Sequence, residues 1–199
     1  DATNGEELWT SDGTAEGTVR VTDLTPGDGG SDPDFLTAWG DRLLFSVRNS
    51  EDETFDLYIT DGTEIGTKKL AGFRYIEAIY ADAEALAFAV VADGDDGAGI
   101  ELWASDGDER TERVQDIAVG IDGSFPSELV IVDQQLFFIA DDGESGRELW
   151  TMNVSELLPP VSSGGGSSGS KGGGGSFQLV SLLILMLAGL RRRRKLQTL

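Results

Sequence analysis

Apolar and polar residues alternate in short runs along about the first 150 residues. This two-residue period marks half-buried β-strands. Leu43, Phe45 and Val47 share one face of 42–48. Leu86, Phe88 and Val90 do the same in 85–91, and Leu136, Phe138 and Ala140 in 135–140. Val19 and Val21 share a face of 18–24, where β-branched residues suit a pleated surface. Turn residues separate the runs, among them Asp12-Gly13, Gly40-Asp41 and the loop 26–34 of Pro, Gly, Asp and Ser. The pattern predicts a leading strand at 7–11 and then three units of four strands. The first is 18–24, 35–39, 42–48 and 56–60. The second is 68–70, 76–80, 85–91 and 100–104. The third is 113–117, 129–132, 135–140 and 148–151.

One stretch recurs through these units. Glu7-Leu8-Trp9-Thr10-Ser11-Asp12-Gly13-Thr14 returns as Asp56-Leu57-Tyr58-Ile59-Thr60-Asp61-Gly62-Thr63 and as Glu101-Leu102-Trp103-Ala104-Ser105-Asp106-Gly107-Asp108. Glu148-Leu149-Trp150-Thr151 is a fourth copy without its Asp-Gly. The aromatic positions are 49, 45 and 47 residues apart. Units of this length with four short strands fit the blade of a β-propeller. The expected fold class is therefore all-β: tandem four-stranded antiparallel blades in a partial β-propeller-like array, with blade breaks near 60–66 and 104–110. A β-sandwich or solenoid is the alternative. The unpaired leading strand suggests the C-terminal part of a longer array. Trp9, Tyr58, Trp103 and Trp150 are read first as packing wedges and second as ligand platforms.

The composition changes after Val161. Residues 162–176 are Gly and Ser with one Lys, a flexible linker. Residues 177–190 are uncharged and mostly aliphatic, and 191–199 open with Arg191-Arg192-Arg193-Arg194-Lys195. The expected domains are thus an acidic β-repeat body at 1–161, a linker at 162–176, a short hydrophobic transmembrane helix at 177–190 and a basic cytoplasmic tail at 191–199. Fourteen residues are short for a membrane span. The basic cluster places the body on the far side of the membrane.

Charge sharpens the division. All 36 acidic residues precede Ser162 and six of the 15 basic residues follow it, so 1–161 carries a net charge of −27. Such a body repels nucleic acid. The chain has no Cys and no His, which excludes disulfides, thiol nucleophiles, His triads and His or Cys metal sites.

The octapeptide, continued by Gly17-Thr18 and Gly66-Thr67, resembles the ELWxxDGT repeat of bacterial surface and secreted proteins. The third copy departs at Asp108 and lacks the Gly before Thr111. The C-terminal stretch, with Gly164–Gly166, Gly172–Gly175, the apolar run and Arg191–Arg194, resembles a GlyGly-CTERM sorting signal. The first resemblance implies a repeat scaffold of no defined activity. The second implies an intramembrane sorting protease of the rhomboid type as partner, with release or display outside the cell.

The function expected is non-enzymatic: a cell-surface or secreted scaffold or binding module, with an extracellular glycan or protein as ligand. Its binding face would be shaped by loops 26–34, 49–54, 93–99 and 141–147. The alternative is a hydrolase or lyase acting on extracellular polysaccharide through paired carboxylates. No cofactor is required. The candidate cation is Ca²⁺, which favours carboxylates on flexible loops. Its candidate ligands are Asp93, Asp95 and Asp96, and Asp141, Asp142 and Glu144.

Overall fold

The computed structural model describes residues 5–27, 29–82, 88–94, 96–120 and 123–158. The linker, the apolar run 177–190, the basic tail, Leu86 and Asp95 lie outside them. Thirteen strands and one 3₁₀ turn, Val154–Glu156, form the described chain. Strands β1 (Trp9–Thr10) and β2 (Val19–Arg20) make a two-stranded sheet. Strands β3 (Asp34–Trp39), β4 (Arg42–Arg48), β5 (Phe55–Thr60) and β6 (Lys68–Phe73) make the second, in sequence order. Strands β7 (Tyr75–Tyr80), β8 (Phe88–Asp93), β9 (Ile100–Ser105) and β10 (Thr111–Gln115) make the third. Strands β11 (Ser127–Val132), β12 (Gln135–Asp141) and β13 (Arg147–Asn153) make the last. Every pairing is antiparallel.

This corrects the expected fold class. The all-β class holds, but the sheets have two, four, four and three strands and none closes on itself, so the array is a stack of open sheets and not a propeller-like set of equal blades. The breaks fall at Arg74 and between β10 and β11, not near 60–66 and 104–110. The strand after each Asp-Gly turn completes its own sheet where it was expected to open the next.

The turn itself is the cause. Asp12 Oδ1 accepts from the Thr14 N–H at 2.9 Å and the Thr14 hydroxyl at 2.7 Å. The Gly17 N–H donates to the Thr14 hydroxyl at 2.9 Å, and the Ser11 and Thr18 hydroxyls join at 2.7 Å. Asp61, Thr63, Gly66, Thr60 and Thr67 repeat every one of these bonds. The loop is closed by its own side chains, so the chain must fold back on the strand it has just left. These bonds hold the Asp12 and Asp61 carboxyls below the ordinary carboxylate range.

A Cβ on Gly66 would stand 2.0 Å from Asp61 Oδ1, which explains a glycine five residues after the aspartate. In the third copy Arg110 N–H donates to Asp106 at 3.1 Å and the glycine is dispensed with. Gly66→Ala should therefore destabilise the chain by about 1–2 kcal/mol. In a chemical-denaturation cycle, adding it to Asp61→Ala should cost little more, because both remove the same turn bonds.

The expected helix at 177–190 lies outside the described residues. Among the described residues no helix is long and apolar enough to cross a membrane.

Three apolar layers join the sheets. Leu8 and Val21 meet Phe45 and Val47 between the first and second. Leu44, Leu57 and Ile59 meet Ile79, Val90 and Ala92 between the second and third. Val91, Leu102 and Ala104 meet Leu136, Phe138 and Ala140 between the third and last. The triads Leu43, Phe45, Val47 and Leu136, Phe138, Ala140 thus face the preceding sheet, as does Val90 of the remaining one. Both faces of the middle sheets are covered: Leu44 and Phe45, adjacent on β4, are each 0% exposed. Alternation therefore marks only one of their two buried faces.

Candidate functional site

The first residue of the repeated motif is a buried acid in two copies. Glu101 on β9 is 0% exposed. It accepts the N–H groups of Ile117 (3.4 Å), Ala118 (3.3 Å) and Ser124 (3.0 Å), and the Ser124 hydroxyl. Burial pushes its carboxyl above the ordinary range, against the pull of these four donors. Glu7 is buried likewise and accepts the Ser31 hydroxyl at 2.6 Å. Each acid pins the connection that leads to the next sheet. In the second copy β6 runs into β7 through Arg74 alone, with no long loop to pin. There Asp56 pairs with Lys69 at 2.7 Å instead.

The pinned loops share a signature that the octapeptide hides. Gly30-Ser31-Asp32-Pro33 and Gly123-Ser124-Phe125-Pro126 stand 93 residues apart. Asp32 and Phe125 have φ of 43° and 46°, and Phe35 and Glu128 of 53° and 54°. Arg20–Asp23 and Arg113–Asp116 ion pairs, at 3.1 and 3.3 Å, repeat at the same offset. The repeated Gly-Ser-x-Pro was the available signal. Both acids are buried and bonded to residues of these loops, so they position loops.

The antiparallel order brings the connections after β2, β4, β8, β10 and β12 to one end of the stack; four of them overlap the expected loops 26–34, 49–54, 93–99 and 141–147, and the one after β10 was not among those. The candidate calcium ligands within the described residues lie there, Asp95 being outside them. Asp93 ends β8 beside Arg74, and Asp96 meets Arg113 at 3.2 Å and accepts the Ala98 N–H at 3.2 Å. Asp141 accepts from Gly143 at 2.8 Å, and Asp142 from Glu144 at 2.9 Å and Ser145 at 2.6 Å. Glu144 is exposed. Asp142 is held below the ordinary range by those amides. The structure divides these acids between the ends of β8 and β12 and the loops that follow them. Among the described residues no three acids come close enough together to hold a metal ion.

The opposite end, with the Asp-Gly turns, carries a cleft of about 310 Å³ between the first and second sheets. Trp9, Asp41, Arg42, Thr60 and Asp61 line it, with Gly40 and Gly62 offering backbone. Trp9 differs from its counterparts. The Trp103 indole N–H donates to the Ala92 carbonyl at 3.1 Å, and that of Trp150 to Ala140 at 3.2 Å. Both carbonyls belong to the second strand of their sheets. Tyr58 stacks on Phe45 of β4, centroids 5.5 Å apart. These three are packing wedges, as their spacing implies. The first sheet has no such strand among the described residues, and the Trp9 ring is 44% exposed at the cleft. Arg42 lies over the Trp39 ring, 4.5 Å from its centroid. The cleft therefore joins an open aromatic surface to charged groups and hydroxyls. Residues on both sides of it come from motif copies, yet nothing in the octapeptide distinguishes Trp9 from Trp103.

Searches with this chain found no matching protein-family model, no matching curated protein and no matching solved structure.

Proposed function

We propose that this chain is a non-enzymatic binding module of a bacterial cell-surface or secreted repeat protein, exported and sorted through its C-terminal tail. Its ligand is an extracellular glycan held in the cleft beside Trp9. The observation that carries this reading is the exposed indole beside Asp41, Arg42 and Asp61. Pyranose rings offer C–H faces to an aromatic plane and hydroxyls to charged side chains, the mix this cleft lines up. Likeness of the motif to the ELWxxDGT repeat, and of the tail to a sorting signal, supports the cellular address. The hydrolase alternative draws less support. Asp61 is committed to its turn and held below the ordinary carboxylate range, which makes it a poor proton donor at neutral pH.

Calorimetric titration against a panel of soluble polysaccharides tests the reading. At least one should bind, and Trp9→Ala should weaken it about tenfold or more with the melting profile unchanged. Equal affinity of Trp9→Ala and the parent chain would rule out the cleft, and release of new reducing ends would favour the hydrolase.

A further inference from the structure

The cleft beside Trp9 has a charge as well as a shape, and the charge narrows the sugar. Residues 5–73, which build the two sheets on either side of it, hold 15 acidic and five basic residues. Each of the five bases is already engaged. Arg20 meets Asp23 at 3.1 Å, Arg48 meets Glu53 at 3.1 Å and Lys69 meets Asp56 at 2.7 Å. Lys68 pairs with Asp108. Arg42, the one base among the described residues that line the cleft, lies over the Trp39 ring.

The acids of the cleft are not matched in this way. Asp41 is exposed on the Gly40-Asp41 turn, and its carboxylate bonds to no described residue. Asp61 gives Oδ1 to the Thr63 N–H and hydroxyl, which leaves Oδ2 open among the described residues. The open charge of the cleft is therefore negative, and it stands beside the exposed Trp9 indole. A uronic or sulfated sugar would bring its own negative charge to this wall and to a body of net charge −27. A neutral sugar would take water from Asp41 and offer no counter-charge in return. An amino sugar answers every feature. Its ring face suits the indole, and its ammonium suits both the carboxylates and the aromatic face. We propose that the glycan of this cleft carries free amines, with a pyranose ring on Trp9 and ammonium groups held by Asp41 and Asp61. This rests on the glycan reading of the cleft.

The test is calorimetric titration of the full chain with oligomers of β-1,4-linked glucosamine and with their fully N-acetylated forms of equal length. The amine form should bind at least about tenfold more tightly, and molar salt should remove most of the difference. Asp41→Asn, which suits the same turn, should also remove most of it. Glu148→Gln deletes one charge from an exposed site on the last sheet and should leave it intact. A lysine oligomer of equal charge, which has ammonium groups but no pyranose face, should bind more weakly than the glucosamine oligomer. Equal affinity for the amine and acetylated forms would overturn the proposal and leave the glycan reading standing. Equal effects of Asp41→Asn and Glu148→Gln, or equal affinity for the lysine oligomer, would overturn it by showing diffuse attraction to an acidic body. Binding of neither glucosamine form would overturn it too, and the polysaccharide panel then shows whether the glycan reading falls with it.

Discussion

Glu101→Ala should be among the most damaging single substitutions in the body. It strips three backbone N–H groups and the Ser124 hydroxyl of their buried acceptor. Each buried donor left unmet costs about 1–3 kcal/mol, so a loss of about 4 kcal/mol is expected, a fall of ~10 °C in melting midpoint. Glu148→Ala removes the same motif position where it is exposed, and should stay within about 0.5 kcal/mol of the parent. The pH dependence has a definite sign. The folded-state carboxyl titrates above its ordinary 4.5. The stability that this shift contributes is complete below that value and is lost as pH rises through the folded value. Against the non-titrating Glu101→Gln, the parent chain should therefore lose ground as pH rises above the ordinary 4.5. Denaturant midpoints of the two chains, measured from below that value upward, check it.

Gly123→Ala should be nearly as severe, for a backbone reason. Its φ is +73°, and an added Cβ would stand 2.4 Å from the Ile100 nitrogen and 2.7 Å from its carbonyl oxygen. Backbone cannot rotate away as a side chain can. The loop must lift, and Ser124 leaves Glu101 with it. A loss of about 3 kcal/mol or more is expected. Gly143 has a similar φ of +78° but open space where its Cβ would go. Gly143→Ala should therefore cost only about 1 kcal/mol, the price of positive φ alone. Urea denaturation of the two variants separates the contributions.

Strand content was legible because it depends on local alternation. Strands β4 and β12 lie within a residue of the runs that Leu43 and Leu136 open. Sheet membership was not legible, because it depends on how a turn closes. Asp-Gly reads equally well as a hairpin within a sheet or a break between sheets, and only the Asp12, Thr14 and Thr18 bonds decide. The buried faces of the middle sheets escaped for a related reason. A strand covered on both sides, as at Leu44 and Phe45, has no polar face to alternate with. Motif acids looked alike in sequence, yet Glu101 is buried and Glu148 exposed, because Glu101, like Glu7, has a Gly-Ser loop folded over it and Glu148 has none among the described residues. Trp9 was unreadable on the same principle. Its exposure follows from what stands beside it, not from its own identity or spacing.

The most direct test of the glycan-binding reading is nitrogen-correlated NMR of the full chain, titrated with whichever oligosaccharide binds. The Trp9 indole N–H and the Gly40 and Gly62 amides should shift together and saturate at one dissociation constant, while the Trp103 and Trp150 indoles, donated to Ala92 and Ala140, stay in place. Shifts confined to the loop end, around 49–54 and 142–146, with the Trp9 indole unmoved would contradict it.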